Sequence, residues 1–168
     1  HYFESALVRP TITIQSTPRA YGHFSTRDDT WVSVTGNSNE INIGAGTLAR
    51  PIENVCATLL HEMLHYYCHV NGIKDTSRGN TYHNKRFKEI AESHGLIVDH
   101  DEKYGWTMTT PSDDLLDFIL ENELTDILIT RNEFYGVAVA GTGAHSSTGA
   151  SVPPRTSSSR KYVCPCCG

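Results

Sequence analysis

Long apolar runs are missing from this 168-residue sequence. No stretch approaches the roughly 18 consecutive apolar residues of a membrane-spanning helix, and no apolar signal region opens the chain. Positive charge is not in excess. The 14 Lys and Arg stand against 19 Asp and Glu, a net charge of -5, which excludes a surface built throughout for nucleic acid and leaves a local basic patch to consider. Cysteine is sparse until the end: Cys56 and Cys68 stand alone, and Cys164, Cys166 and Cys167 crowd the tail. An odd number of thiols without secretory features argues against a disulfide framework and for a reducing, cytoplasmic setting. No initiator Met is present, and the chain stops inside the cysteine cluster, so it reads as a fragment cut at one or both ends. With 38% hydrophobic and 20% charged residues, collagen-like, coiled-coil and wholly disordered chains are excluded.

What is present divides by period. Residues 11–15, Thr-Ile-Thr-Ile-Gln, alternate as a half-buried strand does. Residues 20–26 and 31–35 carry Tyr21, Phe24, Trp31, Val32 and Val34 and predict further strands, with Asp28-Asp29 and Gly36-Asn37 as turns. Glu40-Ile41-Asn42-Ile43 alternates again and ends at Gly44. These segments predict a small antiparallel or mixed sheet. Pro51 suits a first helical position, and from Ile52 to Val70 apolar residues recur at helical spacing until Asn71-Gly72 stops them. A second helix is expected from Thr81 as N-cap to about His94, with an inner stripe of His83, Phe87, Ile90, Ala91 and His94. Short strands at 96–98 and 106–108 follow, then a third helix capped by Ser112. The pattern predicts an α+β fold, with a small sheet packed on one chemistry-bearing helix and a second helix beside it. Residues 122–160 weaken in period and turn rich in Gly, Ser, Thr and Pro, the composition of a partly flexible linker.

One motif carries chemistry. His61-Glu62-Met63-Leu64-His65 places two imidazoles four residues apart on one helix face, roughly 6 Å along the axis, so both can reach one ion. Glu62 follows the first of them and also faces the metal. It can take a proton from water whose pKa a zinc ion lowers toward about 7. Zinc in a hydrolase needs a third protein ligand. His69 lies too far along a straight helix, since three ligands would span roughly 12 Å; it suits a partner for a carbonyl or carboxylate. A further histidine ligand at position 71, with glycine at 68, is not available, because this chain has Cys68 and Asn71. Glu89 or Glu92 on the second helix would serve another zinc-peptidase plan. His83 is the best candidate, placed at the start of the second helix after a tight loop that can return it to the first. Tyr82, Tyr21 and Arg78 are candidates for substrate or transition-state contacts.

These residues resemble a family. His61-Glu62-Met63-Leu64-His65, then Asn71-Gly72, Asp75, Gly79, Tyr82-His83-Asn84 and Phe87-Lys88, with Ile41-Asn42-Ile43 upstream and Tyr104-Gly105-Trp106 downstream, look like the SprT-like domain over roughly residues 1–120. The resemblance implies a zincin metalloprotease core at 1–121, with zinc ligands His61, His65 and His83 and catalytic Glu62. It also implies kinship with Spartan, a protease that degrades proteins crosslinked to DNA. The tail at 161–168 looks like the first knuckle of a zinc ribbon, in which Cys164 and Cys167 would hold a second zinc. The second Cys pair is absent here, so the ribbon is incomplete.

The expectation is a cytoplasmic zinc-dependent endopeptidase acting on protein or peptide substrates, with the 41–43 strand offering its edge to an extended substrate. Lys74, Arg78, Lys85, Arg86 and Lys88 form a short basic rim that could touch phosphates, joined by Arg155, Arg160 and Lys161 near the tail. That rim supports an alternative of another class, a DNA-associated zinc-binding module with little proteolytic activity. No membrane partner is expected.

Overall fold

The apolar spacing from Ile52 onward forms one 19-residue helix, α1 (Ile52–Val70). Pro51 stands just before it, where its missing N–H costs nothing. At the other end Gly72 adopts φ +63, its N–H donates to His69 O (3.1 Å), and Ile73 N–H donates to Cys68 O (2.8 Å). A left-handed residue there satisfies carbonyls the helix leaves open, and glycine takes that conformation without strain. The computed structural model describes residues 2–3, 7–17 and 20–132.

Three stripes of α1 do different work. Val55 and Tyr66 pack with Ile41, Ile43 and Leu48. Ala57, Leu60 and Leu64 pack with Phe3, Phe87, Ala91, Leu96, Val98, Leu115 and Ile119. Each fully buried Leu, Ile or Phe contributes roughly 1.5–3 kcal/mol, so the helix is clamped from two sides. The third stripe, at helical i, i+3 and i+4 spacing, holds Thr58, His61, Glu62, His65 and His69.

The first clamp is a mixed sheet. In chain order come β1 (Thr11–Gln15), β2 (Gly22–Ser25), β3 (Trp31–Ser33), β4 (Gly36–Ser38) and β5 (Glu40–Gly44). β5 lies between β1, which it pairs in parallel, and β2, which it pairs antiparallel. The expectation that 41–43 offers an edge is therefore overturned. Ile41 and Asn42 are fully buried because neighbours flank them on both sides, and the edges belong to β1 and β2. Gly36-Asn37 is not a turn either, since it pairs with β3 as part of a hairpin. β1 faces the other way from a conventional amphipathic strand. Ile12 and Ile14 are exposed, while Thr13 Oγ1 donates to Glu40 Oε1 (2.6 Å) and Asn42 Oδ1 (3.0 Å) of β5. Polar partners on β5 set that facing, against the hydrophobic alternation.

The second clamp is built from β6 (Thr76–Ser77), β7 (Tyr82–His83), α2 (Lys85–Glu92), β8 (Leu96–Asp101), β9 (Gly105–Pro111) and α3 (Asp113–Glu121). Its strands run in the order β6-β7-β9-β8. α2 starts later than the sequence predicts. Asn84, not Thr81, is its N-cap, accepting the N–H groups of Arg86 (2.8 Å) and Phe87 (3.2 Å). His83 is therefore on a strand rather than a helix, because its N–H is taken by Tyr104 O (2.9 Å), which draws it to β9. α3 begins at the Ser112 cap as expected.

Part of the span expected as a linker lies against the domain. Asp126 Oδ1 accepts the Ile52 N–H (2.8 Å), Ile127 packs beside the β5 cluster, and Ala45 O accepts from Arg131 N–H (2.9 Å) and Thr130 Oγ1 (3.1 Å). The remainder, from 133, lies outside the described residues, and with it Arg155, Arg160, Lys161, Cys164, Cys166, Cys167 and the expected ribbon. No helix among the described residues is long and apolar enough to cross a membrane.

Candidate metal centre

His61 and His65 come from one stripe of α1, and β7 brings His83 to them. Their Nε2 atoms converge: His61 to His65 is 3.2 Å, His61 to His83 is 3.3 Å, and His65 to His83 is 3.0 Å. The three form the one His, Cys, Asp and Glu cluster among the described residues able to hold a metal ion. Nitrogen ligands about 2.0–2.1 Å from a tetrahedral ion stand about 3.3 Å apart, so the triangle matches one face of a tetrahedron.

The other nitrogen of each ring is spoken for. His65 Nδ1 meets Asp75 Oδ2 at 2.5 Å, His61 Nδ1 meets Thr109 Oγ1 at 3.2 Å, and His83 Nδ1 meets Tyr104 O at 3.3 Å. A carbonyl and a carboxylate can only accept. Each Nδ1 facing them therefore carries the proton and leaves Nε2 with a lone pair for the ion. Phe87, fully buried, backs all three rings with centroids 4.7 Å from His61 and His65 and 4.8 Å from His83. It forms one apolar wall shared by all three rings.

Burial holds the His61 imidazole well below its ordinary pKa, helped by its two histidine neighbours. Burial, with His65 beside it, also drops His83 to about 4 against the opposing pull of Tyr104 O and Asp75. Neutral rings are the form a metal needs. Glu62 is displaced in the opposite sense. Burial raises its carboxyl to about 7, against the smaller pull of His65 and of a hydrogen bond from Phe24 N–H. Close packing makes that position: a Cβ on Gly22 would lie 3.1 Å from Glu62 Cγ and 2.9 Å from Asn42 O. The carboxylate thus sits against β2, an edge strand, with Phe24 N–H as its donor.

The rival ligands are elsewhere. His69 Nε2 bonds Asp28 Oδ1 (2.8 Å), the carboxylate partnership its spacing suggests. Glu92 pairs with Lys88 (3.5 Å), and Glu89 is exposed. Tyr82 and Arg78 are not brought to the centre. Successive strand residues point to opposite faces, so with His83 turned to the metal centre Tyr82 turns away. Its OH meets His100 Nε2 at 3.2 Å, and the Arg78 guanidinium stacks 4.4 Å above its ring. Tyr21 lies beside Gly22 with Arg50 4.0 Å over its ring. Lys74, Arg78, Lys85 and Arg86 of the basic rim are exposed, whereas Lys88 is half-buried over Trp106.

Sequence reasoning did not find Thr109, Phe87 as the backing ring, or the Gly22 contact, and it met Asp75 only within the resemblance. Asp75 lies 10 positions from His65 across a loop, and Thr109 lies 48 from His61, separations at which no local period operates.

The SprT-like family matches residues 1–109, which include α1, Glu62 and all three histidines. No curated protein and no solved structure matches the chain. A match over that span, coinciding with the residues that converge on one point, decides the matter: this chain belongs to the SprT-like family.

Proposed function

We propose that the protein is a zinc-dependent endopeptidase with a zincin-type core that hydrolyses peptide bonds in protein substrates. One observation carries this reading. Three imidazole nitrogens from α1 and β7 form a triangle of 3.0–3.3 Å beside a buried glutamate. His61, His65 and His83 would hold the zinc, which supplies the Lewis acidity that makes water nucleophilic near neutral pH. Glu62 accepts the proton of the attacking water on its carboxylate and passes it to the leaving amine. β2 (Gly22–Ser25), whose outer edge lies beside Glu62, offers backbone groups to an extended substrate, in place of the 41–43 strand. Exposed Lys74, Arg78, Lys85 and Arg86 favour substrates that are themselves bound to DNA, and unpaired Cys56 and Cys68 suit the reducing cytoplasm.

The test is metal analysis of the purified chain together with cleavage of unfolded casein. About one zinc per chain is expected, with clear loss in His83→Ala. Glu62→Gln keeps the zinc and loses hydrolysis by about 10²–10⁴-fold. Unchanged turnover in Glu62→Gln, or full zinc in His83→Ala, overturns the reading.

A further inference from the structure

Among the described residues Arg50 has no carboxylate partner. Its Nε donates to Thr47 O (2.9 Å) and Nη2 to Thr58 Oγ1 (3.0 Å), while the guanidinium lies 4.0 Å over the Tyr21 ring. Arginine has five N–H donors in a rigid fork, so three are left without a protein partner among the described residues. No carboxylate among those residues forms an ion pair with it. The residue is half-buried, and that burial pulls its pKa below the ordinary value, as expected for a cation short of solvent.

Its position is as telling as its charge. Thr58 precedes Glu62 by four residues on α1, so the two share a face about one turn, roughly 6 Å, apart. Tyr21 precedes Gly22, whose backbone packs on Glu62. Thr58 thus ties the guanidinium to the α1 stripe that carries Glu62, and Tyr21 ties it to the residue that precedes β2. A peptide laid along the β2 edge and continued past Gly22 would run toward Tyr21 and the guanidinium stacked on it.

We propose that Arg50, stacked on Tyr21, is a specificity site that takes a carboxylate of the substrate peptide one helical turn from Glu62. The fixed fork suits bidentate recognition of a planar carboxylate, and the missing counter-ion is supplied by the substrate. The proposal rests on the peptidase reading for its setting but makes a separate claim about binding. The carboxylate can come from an Asp or Glu side chain or from a chain end, and the same chemistry serves both.

The experiment uses the zinc-loaded full chain and quenched peptides that carry Glu, Gln or Lys at one scanned position, each with a free or amidated C-terminus. In parallel, fluorescence anisotropy measures binding of the same peptides to zinc-loaded Glu62→Gln. A carboxylate at one position is expected to raise kcat/KM and binding by about 10- to 100-fold over its amide. An effect confined to free C-termini identifies the chain end as the source, and one confined to Glu peptides identifies a side chain. Arg50→Gln abolishes the preference with little change for the amide peptides, and Arg50→Glu reverses it toward Lys. Equal treatment of Glu and Gln at every position, with no response to the C-terminus, overturns the proposal in the wild-type protein, whether or not the variants fold. Equal losses on acid and amide peptides in Arg50→Gln also overturn it, leaving Arg50 a clamp between Thr47 and Thr58. Cleavage without preference sinks this site alone, whereas Arg50-dependent binding without any cleavage sinks the peptidase reading alone.

Discussion

Asp75 reaches back from the loop after α1 to place Oδ2 2.5 Å from Nδ1 of His65. Both side chains are largely enclosed, with 14% and 15% of their surfaces exposed, so the bond is shielded from water. A carboxylate at this distance fixes the imidazole tautomer and raises the basicity of the nitrogen that faces the ion.

Asp75→Asn removes that charge while keeping the shape. Zinc affinity is expected to fall about 10- to 100-fold, read by competition against a chelator. Affinity equal to that of the parent would show that the pairing orients nothing.

Gly22→Ala tests the packing of Glu62 on β2. The added methyl would meet Asn42 O at 2.9 Å and Glu62 Oε1 at 3.2 Å. Overpacking of this kind costs about 1–3 kcal/mol, visible in a thermal melt. Because the three histidines are untouched, zinc content stays near that of the parent while turnover drops. A variant with parental turnover would mean that Glu62 has room to spare.

Phe87→Ala opens a void beneath three imidazoles. The loss is expected to be about 3–5 kcal/mol in urea unfolding, as for a fully buried aromatic residue. Phe87→Leu should lose less stability yet still weaken zinc binding, because a smaller side chain supports the rings less closely. Parental zinc affinity in the leucine variant would contradict a backing role.

The metal-free protein should have an unusual acid profile. His83 titrates at about 4 in the fold against 6.5 in a free chain, and burial also holds His61 well below 6.5. Glu62 titrates at about 7 against 4.5. Between about pH 5 and 5.5 the unfolded chain therefore holds nearly two protons on these histidines, while the fold holds one on Glu62. The unfolded state is ahead by one proton, so stability rises with pH by about 1.4 kcal/mol per unit across that window. Glu62→Gln deletes the opposing proton, and the slope should steepen to about 2.7 kcal/mol per unit. Urea titrations at several pH values measure both slopes, and a slope that the glutamine leaves unchanged would refute the raised carboxyl. Saturating zinc at neutral pH should add about 4 kcal/mol at a thousandfold excess over Kd. Lowering the pH reverses that gain, since protons compete for the same nitrogens.

Elements governed by a local period were legible in advance. α1 follows from its apolar spacing and its Asn71-Gly72 stop, α3 from the Ser112 cap, and β5 from its alternation. The start of α2 was not, because a capping asparagine at 84 competes with a capping threonine at 81. The outcome turns on a strand bond from His83 to Tyr104, 21 residues on. β1 was legible as a strand but not in its facing, which is set by Glu40 and Asn42 on its neighbour. The central place of β5 depends on pairing order, which alternation within a strand does not encode.

The order of residues along α1 was enough to put two imidazoles and a carboxylate on one helical face, since 3.6 residues per turn is a property of the backbone itself. Which third group completes the set, which carboxylate steadies it, and which hydroxyl meets His61 were decided only when distant segments packed. Those relations run across 10 to 48 positions of chain, and it is burial of the apolar faces of α1 between two sheets that closes such distances.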